Sequence, residues 1–276
     1  MEQITDVAVQ QKILLEGLLH LAGICQKHHL RYFLCNGSLL GAVKYRKFIP
    51  WDDDADVLMP REDYDKLMRL ADGDSPDFRL LCRERDPGWK MPYAKLSHNH
   101  TIQKETTADF GCEMGINVDI FPVDSWRRGK WSAKLQAAYC GLLRRFISAS
   151  LEKSFFSPRR GLTRGILWCI WVFSRACGTE FFIRKLENQR KKGCDDSRFR
   201  GCLVWAAYGG AEIMAREQFE EQSMVEFCGH SFTTFRDPDE YLRSLYGDYR
   251  KDLPPEKQRS NHALKVYWKE YAVRQV

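Results

Sequence analysis

Aspartates crowd into one short stretch of this chain, and their spacing suits chemistry that depends on a metal ion. Four of the five residues at positions 52–56 are Asp, with Asp54 and Asp56 two positions apart. Because side chains alternate along an extended strand, these two carboxylates are expected to point to the same side. Carboxylate oxygens are the ligands that a hard cation such as Mg²⁺ prefers. The stretch therefore predicts a site for a divalent cation.

A turn at Gly37 and Ser38 comes shortly before the acidic stretch. It lies at the start of a predicted helix, where backbone N–H groups can bind a phosphate. A phosphate-binding turn beside a cation site predicts metal-assisted phosphoryl chemistry. The alternative is a solvated acidic loop. It is less favoured because apolar residues flank the aspartates and because crowded carboxylates repel one another.

A third aspartate, Asp119, lies inside an apolar strand predicted for residues 115–122. Alternation along that strand places it on the same side as Asn117 and Phe121, with Val118 and Ile120 on the other. A carboxylate in such a strand is costly unless it is paired or bound to a metal. We interpret Asp119 as the third carboxylate of the cation site. A salt bridge to a nearby Arg or Lys is the alternative.

One long helix, several short helices and short strands are expected in mixed order around these residues, which predicts an α+β protein. Apolar residues recur at three- and four-residue steps in the first predicted helix. The predicted helices are residues 4–28, 39–45, 61–70 and 241–246, the last ending at Gly247. The predicted strands are residues 32–35, 56–59, 78–82, 94–96, 101–104, 115–122 and 231–235.

The composition excludes several classes of protein. Apolar residues make up 44% of the chain and charged residues 29%, which is ordinary for a globular protein. Ten cysteines without a Cys-x-x-Cys pair argue against a zinc ribbon or a redox motif. No uninterrupted apolar run approaches the roughly 18 residues of a membrane span. The first residues lack a signal segment, so we expect a cytoplasmic protein with reduced cysteines.

The net charge of +6 is unevenly distributed. Residues 127–192 contain 16 Lys and Arg against 3 Asp and Glu, and they include an apolar run at 166–173 flanked by arginines. Such a run suits either a buried helix or an element lying in the membrane interface, and both interpretations remain open. Nucleic-acid binding is disfavoured, because the aromatic residues cluster and do not alternate with charge as stacking platforms do.

Five blocks of this sequence resemble the LicD family in order and spacing, from about residue 10 to about residue 265. The acidic block is the most specific, and the last block would be weak alone. They are Gly-Ser-Leu-Leu-Gly-Ala at 37–42, Ile-Pro-Trp-Asp-Asp-Asp-Ala-Asp at 49–56, Tyr-Ala-Lys-Leu at 93–96, Gly-Ile-Asn-Val-Asp-Ile-Phe-Pro-Val-Asp at 115–124, and Tyr-Gly-Asp at 246–248 followed by Leu-Pro-Pro at 253–255.

The resemblance implies a nucleotidyltransferase-like mixed β-sheet flanked by helices. We expect a catalytic core at 1–125, a basic and aromatic helical segment at 126–200, and a small C-terminal α/β portion at 201–276 that completes the catalytic domain. The basic segment is a candidate for contact with the membrane or the acceptor.

The implied reaction is Mg²⁺-dependent transfer of phosphocholine, with Mn²⁺ as the alternative cation. The donor would be CDP-choline or another CDP-linked compound, and CMP would leave. The acceptor would be a sugar hydroxyl on a teichoic acid, a lipopolysaccharide or another glycan precursor, free or lipid-linked. We expect peripheral contact with the inner face of the membrane and no nucleic-acid partner.

Roles for individual residues follow from the same resemblance. Asp54, Asp56 and Asp119 would be catalytic and hold the metal, while Gly37, Ser38 and Lys95 would bind donor phosphate. A solvated lysine at a strand end is the alternative for Lys95. Further candidates are His262 for substrate contact and three aromatic walls for a quaternary ammonium, Trp51, Trp205 and Tyr208.

Two alternatives to this function remain. The same fold could transfer ribitol phosphate, glycerol phosphate or a nucleotidyl group, which the lack of an aromatic cage near the metal would favour. The chain could instead be a non-catalytic glycan- or membrane-binding protein. Loss of an acidic ligand would indicate that second case, and the sequence retains all three.

Overall fold

A mixed sheet forms the centre of the computed structural model, which describes residues 1–70, 74–258 and 265–269. Its strands are β2 (Phe33–Leu34), β3 (Ala55–Pro60), β4 (Phe78–Leu81), β5 (Ala94–His98), β7 (Asn117–Ser125), β8 (Phe199–Cys202) and β9 (Met214–Ala215). The order is β2-β3-β7-β5-β4, with β8 pairing to the end of β7 and β9 to β8. Strands β3 and β7 run parallel, and the other pairs are antiparallel.

Helices surround this sheet, and two smaller sheets accompany it. The helices are α1 (Val7–Lys27), α2 (Asn36–Tyr45), α3 (Arg61–Leu67), α4 (Lys130–Leu151), α5 (Gly161–Cys177), α6 (Thr179–Arg190), α7 (Glu217–Glu220) and α8 (Pro238–Tyr246). The smaller sheets are β1 (Gln3–Ile4), β12 (Lys265–Trp268) and β6 (Thr101–Lys104), in that order, and the hairpin of β10 (Gln222–Phe227) and β11 (His230–Phe235). The α+β prediction is confirmed.

The central sheet carries apolar residues on both faces. Val118 and Ile120 of β7 belong to a buried cluster that includes the leucines of α1. Phe121 and Val123 belong to a second cluster, which includes residues of α4 and α6. The alternation expected along β7 is therefore confirmed. Asp119 lies between these apolar positions, on the same side of the strand as Phe121.

Most element boundaries fall within a few residues of their predictions, and the differences have local causes. Helix α8 begins earlier than expected, at Pro238, because the Asp237 side chain caps it by accepting from the N–H groups of Asp239 and Glu240, each at 3.0 Å. Gly247 ends the helix with a φ of 66°. Strand β7 runs to Ser125, beyond the predicted residue 122, because β8 pairs with its last residues.

The exposure of helix α5 excludes one of the two interpretations of residues 166–173, a buried helix or an element in the membrane interface. The structure describes the whole of α5, and within it Ser174 alone is buried. The buried-helix interpretation of residues 166–173 is therefore wrong. Leu167, Ile170 and Trp171 are partly buried, whereas Ile166, Trp168, Val172 and Phe173 are exposed.

Judged by length and composition alone, one helix among the described residues, α1, could cross a membrane. Its Leu14, Leu18 and Leu21 are each 1% exposed and belong to the core cluster beside the sheet. Helices α5 and α6 meet the same measure only as a pair, and they are bent by 88° relative to one another.

An ion pair fixes α3 against the strand that carries Asp119. Arg61 donates from Nε and Nη2 to the two carboxylate oxygens of Asp124, each at 2.8 Å. The Asp124 side chain is 3% exposed. Such a two-point pair fixes both side chains, and either partner left alone would be costly to bury. The pair therefore holds the C-terminal end of β3 beside β7, at the end of the strands away from Asp56 and Asp119.

Breaking this pair should destabilise the fold. We expect Asp124→Asn to lower the free energy of unfolding by about 3 kcal/mol, because Arg61 keeps its charge but loses its buried partner. Urea titration followed by circular dichroism measures this. Asp65→Asn is the matched control, since Asp65 lies 3.6 Å from the same guanidinium but is exposed, and we expect it to cost less than about 1 kcal/mol. Equal losses in the two variants would contradict the argument.

Candidate active site

Three charged side chains are brought side by side by strand pairing in the central sheet. Asp56 on β3 is directly opposite Asp119 on β7, in the parallel pair. Lys95 on β5 is opposite Asp119 on its other side. Each of the three comes from a different part of the chain, so the register of β3, β7 and β5 creates the site.

Lys95 is hydrogen-bonded to side chains of the neighbouring strand, β7. Its ammonium group donates to an Asp119 carboxylate oxygen and, at 2.9 Å, to Asn117 Oδ1. The Asn117 amide in turn donates to Gln103 Oε1 at 2.9 Å and to the Gly115 carbonyl at 2.8 Å. This network fixes the lysine, which in turn orients Asp119. The proposed alternative of a solvated strand-end lysine is wrong, because Lys95 is 9% exposed.

Asp56 is held by residues at the start of α2. Asn36 Nδ2 donates to Asp56 Oδ2 at 3.1 Å, and the Tyr241 hydroxyl donates to Asn36 Oδ1 at 2.8 Å. Asn36 has a left-handed φ of 47°, a conformation that Asn tolerates better than most residues. The Asp56 N–H donates to the Ser38 hydroxyl at 2.9 Å. The turn that the sequence assigned to phosphate thus also supports the carboxylate.

The acidic loop before β3 packs closely against this turn. A Cβ atom added at Gly37 would lie 2.7 Å from Asp52 Oδ2 and 4.0 Å from Asp54 Oδ1, so a side chain there would displace the Asp52 carboxylate. From the other side, Gln11 Nε2 on α1 donates to the Asp52 carbonyl at 2.9 Å. The loop is therefore held in place from both directions, with its carboxylates beside the N-terminus of α2.

Negative charge accumulates at the site. Burial raises the pKa of Asp56 well above its usual range, the charges of Asp54 and Asp119 raise it further, and the Asn36 hydrogen bond opposes the shift. Burial also raises the pKa of Tyr93, to which the Asp119 and Asp56 charges add. Asp56 therefore interacts with two like charges, a situation that a bound cation relieves.

The donor chemistry fits a hard divalent cation, because carboxylate and amide oxygens predominate around Asp54, Asp56 and Asp119. Within the described residues, however, no three His, Cys, Asp or Glu side chains are grouped closely enough to hold a metal ion as they stand. The Lys95 ammonium already contacts Asp119. An entering cation would compete with Lys95 for that carboxylate.

A cavity of about 970 Å³ opens over these residues. Of the predicted site residues, Asp54, Asp56, Asp119, Gly37 and Lys95 line it, whereas the Ser38 side chain is buried and directed to the Asp56 backbone. The three predicted aromatic walls, Trp51, Trp205 and Tyr208, line it as well. His262 lies outside the described residues.

An aromatic recess in the same cavity contains residues to which the sequence analysis gave no role. The Tyr93 and Trp205 ring centroids are 5.3 Å apart, and those of Tyr208 and Tyr246 are also 5.3 Å apart with hydroxyls 3.1 Å from each other. Glu212 lines the cavity too and accepts from the Tyr208 N–H at 2.7 Å. Tyr93 and Tyr246 lie within the sequence blocks that resemble the family, and Asn36 directly precedes the turn at Gly37. Nothing in the sequence marked Glu212.

Comparisons with known proteins agree with this geometry. Residues 29–139, which include Asp54, Asp56, Asp119, Gly37, Ser38 and Lys95, match the family model described as LicD/FKTN/FKRP, nucleotidyltransferase domain. The chain is 25% identical over 267 residues to the lipopolysaccharide cholinephosphotransferase LicD of Haemophilus influenzae, covering 94% of this chain and 96% of that protein. It is also 31% identical over 83 residues to the uncharacterized protein RP689 of Rickettsia prowazekii, covering 30% of this chain and 26% of that protein.

A mixed sheet with aspartates on adjacent parallel strands, beside the N-terminus of a helix, defines the protein as nucleotidyltransferase-like. The family model over residues 29–139 and the near full-length likeness to a LicD protein both agree with the LicD resemblance seen in the sequence. The resemblance found from the sequence is therefore confirmed.

The buried carboxyl of Glu212 should make stability depend on pH. Burial raises the pKa of Glu212 to about 8 in the folded protein, above its ordinary value of 4.5. The folded state therefore binds this proton more tightly than the unfolded state, so the stability that the group contributes is full below pH 4.5 and is lost as pH rises toward 8.

Glu212→Gln keeps an oxygen for the Tyr208 N–H and removes the titration. We expect the wild type to lose stability between pH 5 and pH 8 by on the order of a few kcal/mol more than this variant. Urea titrations at several pH values measure the difference. Glu217→Gln, at an exposed position of α7, is the control and should follow the wild type. A Glu212→Gln curve parallel to the wild type would contradict the assignment.

Proposed function

We propose that this protein transfers phosphocholine from CDP-choline to a sugar hydroxyl of a cell-surface glycan precursor and releases CMP. The observation that carries the proposal is the Asp56–Asp119 pair on adjacent parallel strands, in a cavity that also contains an aromatic recess. The near full-length likeness to a lipopolysaccharide cholinephosphotransferase supports the group transferred and the class of acceptor.

Asp54, Asp56 and Asp119 would hold Mg²⁺, or Mn²⁺ in its place. When bound, the cation would neutralise charge on the donor phosphates as the bond to CMP breaks. The protein's own contribution is positioning. Asn36 and Lys95 orient Asp56 and Asp119 respectively, so that few side chains must reorganise during the reaction.

The donor diphosphate would lie against the start of α2. The backbone N–H groups of Gly37 and Ser38 belong to the first turn of that helix, where they have no partner within the helix. The absence of a Cβ at Gly37 lets a phosphate approach the backbone beside the acidic loop. Lys95 supplies positive charge on the far side of Asp119, close enough to the cavity to contact phosphate if it releases its carboxylate.

The acceptor hydroxyl must lose a proton during attack. Asp119 is suited to take it, since its side chain is 17% exposed and lines the cavity, whereas Asp56 is more deeply buried. The hydrogen bond from Lys95 fixes the direction of the Asp119 carboxylate. Proton transfer to this carboxylate would generate the nucleophilic oxygen next to the donor phosphate.

The aromatic recess suits a quaternary ammonium group. Such cations bind over aromatic faces because the ring quadrupole attracts them. Trp205, Tyr208 and Tyr246 supply such faces in the cavity. The recess favours choline over ribitol or glycerol phosphate, which carry no cation.

The acceptor would be a lipopolysaccharide or teichoic acid precursor on the cytoplasmic side of the membrane. A reducing compartment agrees with the cysteines, which are all free thiols in the structure. Incubation of purified protein with CDP-linked donors, Mg²⁺ and membrane extract, followed by measurement of CMP release, tests the whole proposal. A protein that releases no CMP from any donor would instead be a non-catalytic binding protein.

Replacement of single aspartates should remove activity without unfolding the protein. We expect Asp54→Asn, Asp56→Asn and Asp119→Asn each to lower kcat by at least about 100-fold, since each removes charge with little change in volume. CMP release at saturating Mg²⁺ measures the loss, and thermal unfolding confirms the fold. Asp65→Asn, at a partly buried position of α3, is the control for an aspartate outside the cavity. A variant with near wild-type turnover would exclude that residue from the metal set.

Donor selectivity should depend on the aromatic recess. Contact with a desolvated quaternary ammonium is worth about 2 kcal/mol, so CDP-choline should bind about 30-fold more tightly than CDP-glycerol or CDP-ribitol. Calorimetric titration in the presence of Mg²⁺ measures the three affinities. Tyr208→Ala should reduce the difference while leaving CDP-glycerol binding unchanged, and Tyr139→Ala, an exposed Tyr on α4 outside the cavity, should not. Equal affinity for all three donors in the wild type would mean that only the CDP half is recognised.

A further inference from the structure

Helix α5 presents an apolar face to solvent. Its exposed positions are apolar residues or glycine over an arc of about 160°, at 3.6 residues per turn. Leu162 is 82% exposed, and Ile166, Trp168 and Phe173 are each at least 50% exposed. The large side chains on this face are Leu162, Ile166, Trp168, Val172 and Phe173. Soluble helices normally turn such a face toward the core, so this surface calls for a partner.

A second exposed apolar stripe runs along α4 and adjoins the first. Trp131, Leu135, Tyr139 and Leu142 recur at helical spacing and are all exposed, with Trp131 at 80%. Phe146, on the same side of α4, contacts Phe173 of α5 with ring centroids 5.8 Å apart. The two apolar surfaces therefore meet, and together they form what we call the α4–α5 face, defined by the exposed apolar residues of these two helices.

Basic residues border the α4–α5 face, and acidic residues are scarce there. Helices α4 and α5 contain no Asp or Glu, whereas residues 127–192 as a whole carry 16 Lys and Arg against 3 Asp and Glu. Lys134 and Arg145 lie beside the α4 stripe, and Arg164 and Arg175 lie beside Trp168 on α5. Arg159 and Arg160 are exposed in the loop just before α5.

Charge distinguishes the candidate occupants of this face. In a symmetric dimer the same patch would meet itself, so the basic borders of two copies would repel each other. An anionic bilayer offers the opposite charge to the borders and an apolar interior to the face. The Trp side chains also favour the boundary between headgroups and acyl chains.

We propose that the α4–α5 face docks on an anionic membrane surface, with α5 lying in the interfacial plane and the basic borders on the headgroups. The docking does not depend on the reaction that the site catalyses. What the docking implies for the glycan acceptor rests on the proposed function. Ser148, Leu151 and Glu152, at the end of α4, line the active-site cavity. Docking would therefore bring the cavity close to the lipid surface, where a lipid-linked glycan could enter it.

Co-sedimentation of the full-length protein with vesicles tests the docking without any activity. We expect binding to vesicles that contain phosphatidylglycerol and much weaker binding to vesicles of phosphatidylcholine alone. Removal of three charges in Arg159→Gln, Arg160→Gln and Arg164→Gln should lower the partition coefficient by about 100-fold. The same change of charge at the exposed residues Arg46, Arg69 and Arg236, away from the α4–α5 face, is the matched control and should lower it far less.

A second variant tests the apolar part of the face. Leu162→Ser with Trp168→Ser changes side chains that are at least half exposed, so the melting temperature should remain close to that of the wild type, while vesicle binding should fall by at least about 10-fold. CMP release from soluble donor should be unchanged in every variant, which separates docking from chemistry. The proposal is overturned if wild-type protein does not sediment with phosphatidylglycerol vesicles, or if the arginine and control variants bind equally. It is also overturned if light scattering shows that the face is covered in a stable dimer.

Discussion

The parallel pairing of β3 and β7 is the constraint on which the rest of the site depends. It places the carboxylates of Asp56 and Asp119 side by side in the middle of a sheet whose other side is packed with apolar residues. Like charges at such short range raise the free energy of the folded state. The fold tolerates this repulsion because neighbouring groups offset the two charges. In addition, Asp119 could turn away from the cavity only if β7 shifted by one residue, which would move Val118 and Ile120 out of the core.

The groups that offset the charges of Asp56 and Asp119 come from several elements. Lys95 and Asn36 each stabilise a carboxylate and also have a second structural role. Lys95 neutralises Asp119 and also fixes its direction, and Asn117 fixes Lys95. Asn36 satisfies Asp56 and begins the helix whose N–H groups face the cavity, and Tyr241 of α8 fixes the Asn36 amide. A residue from the C-terminal part of the chain, Tyr241, thus helps to position Asp56, which lies in the N-terminal part. Removing one supporting group should therefore affect geometry and charge together.

Helix α4 connects the two functional surfaces that we propose. Its buried side contributes Ala137, Cys140 and Ile147 to the core cluster that lies on the cavity side of the sheet. Its exposed side carries the apolar stripe, and its last turn lines the cavity. One rigid element thus links the membrane-facing surface to the site. A rigid link of this kind suits an acceptor that is held in a bilayer, because the distance from the lipid surface to the carboxylates is fixed by the fold.

Local pattern was enough to predict several features of this protein. The spacing of Asp54 and Asp56, the alternation around Asp119 and the Gly37 turn singled out residues that line one cavity, and hydrophobic periodicity predicted α1 and β7 close to where they are. These features depend on neighbours in sequence, which is why they could be read there. Family likeness connected the separate blocks into one enzyme class.

Tertiary structure decided what local pattern left open. The register between β3, β7 and β5 set Lys95 on Asp119, because pairing between strands distant in sequence is governed by the packing of the whole sheet. The same is true of Glu212, whose burial and raised pKa come from the walls of the cavity. The sequence also left residues 166–173 open between core and surface. Packing of α5 against α4 and α6 decided it, because those helices cover only one side of α5 and leave its apolar face exposed.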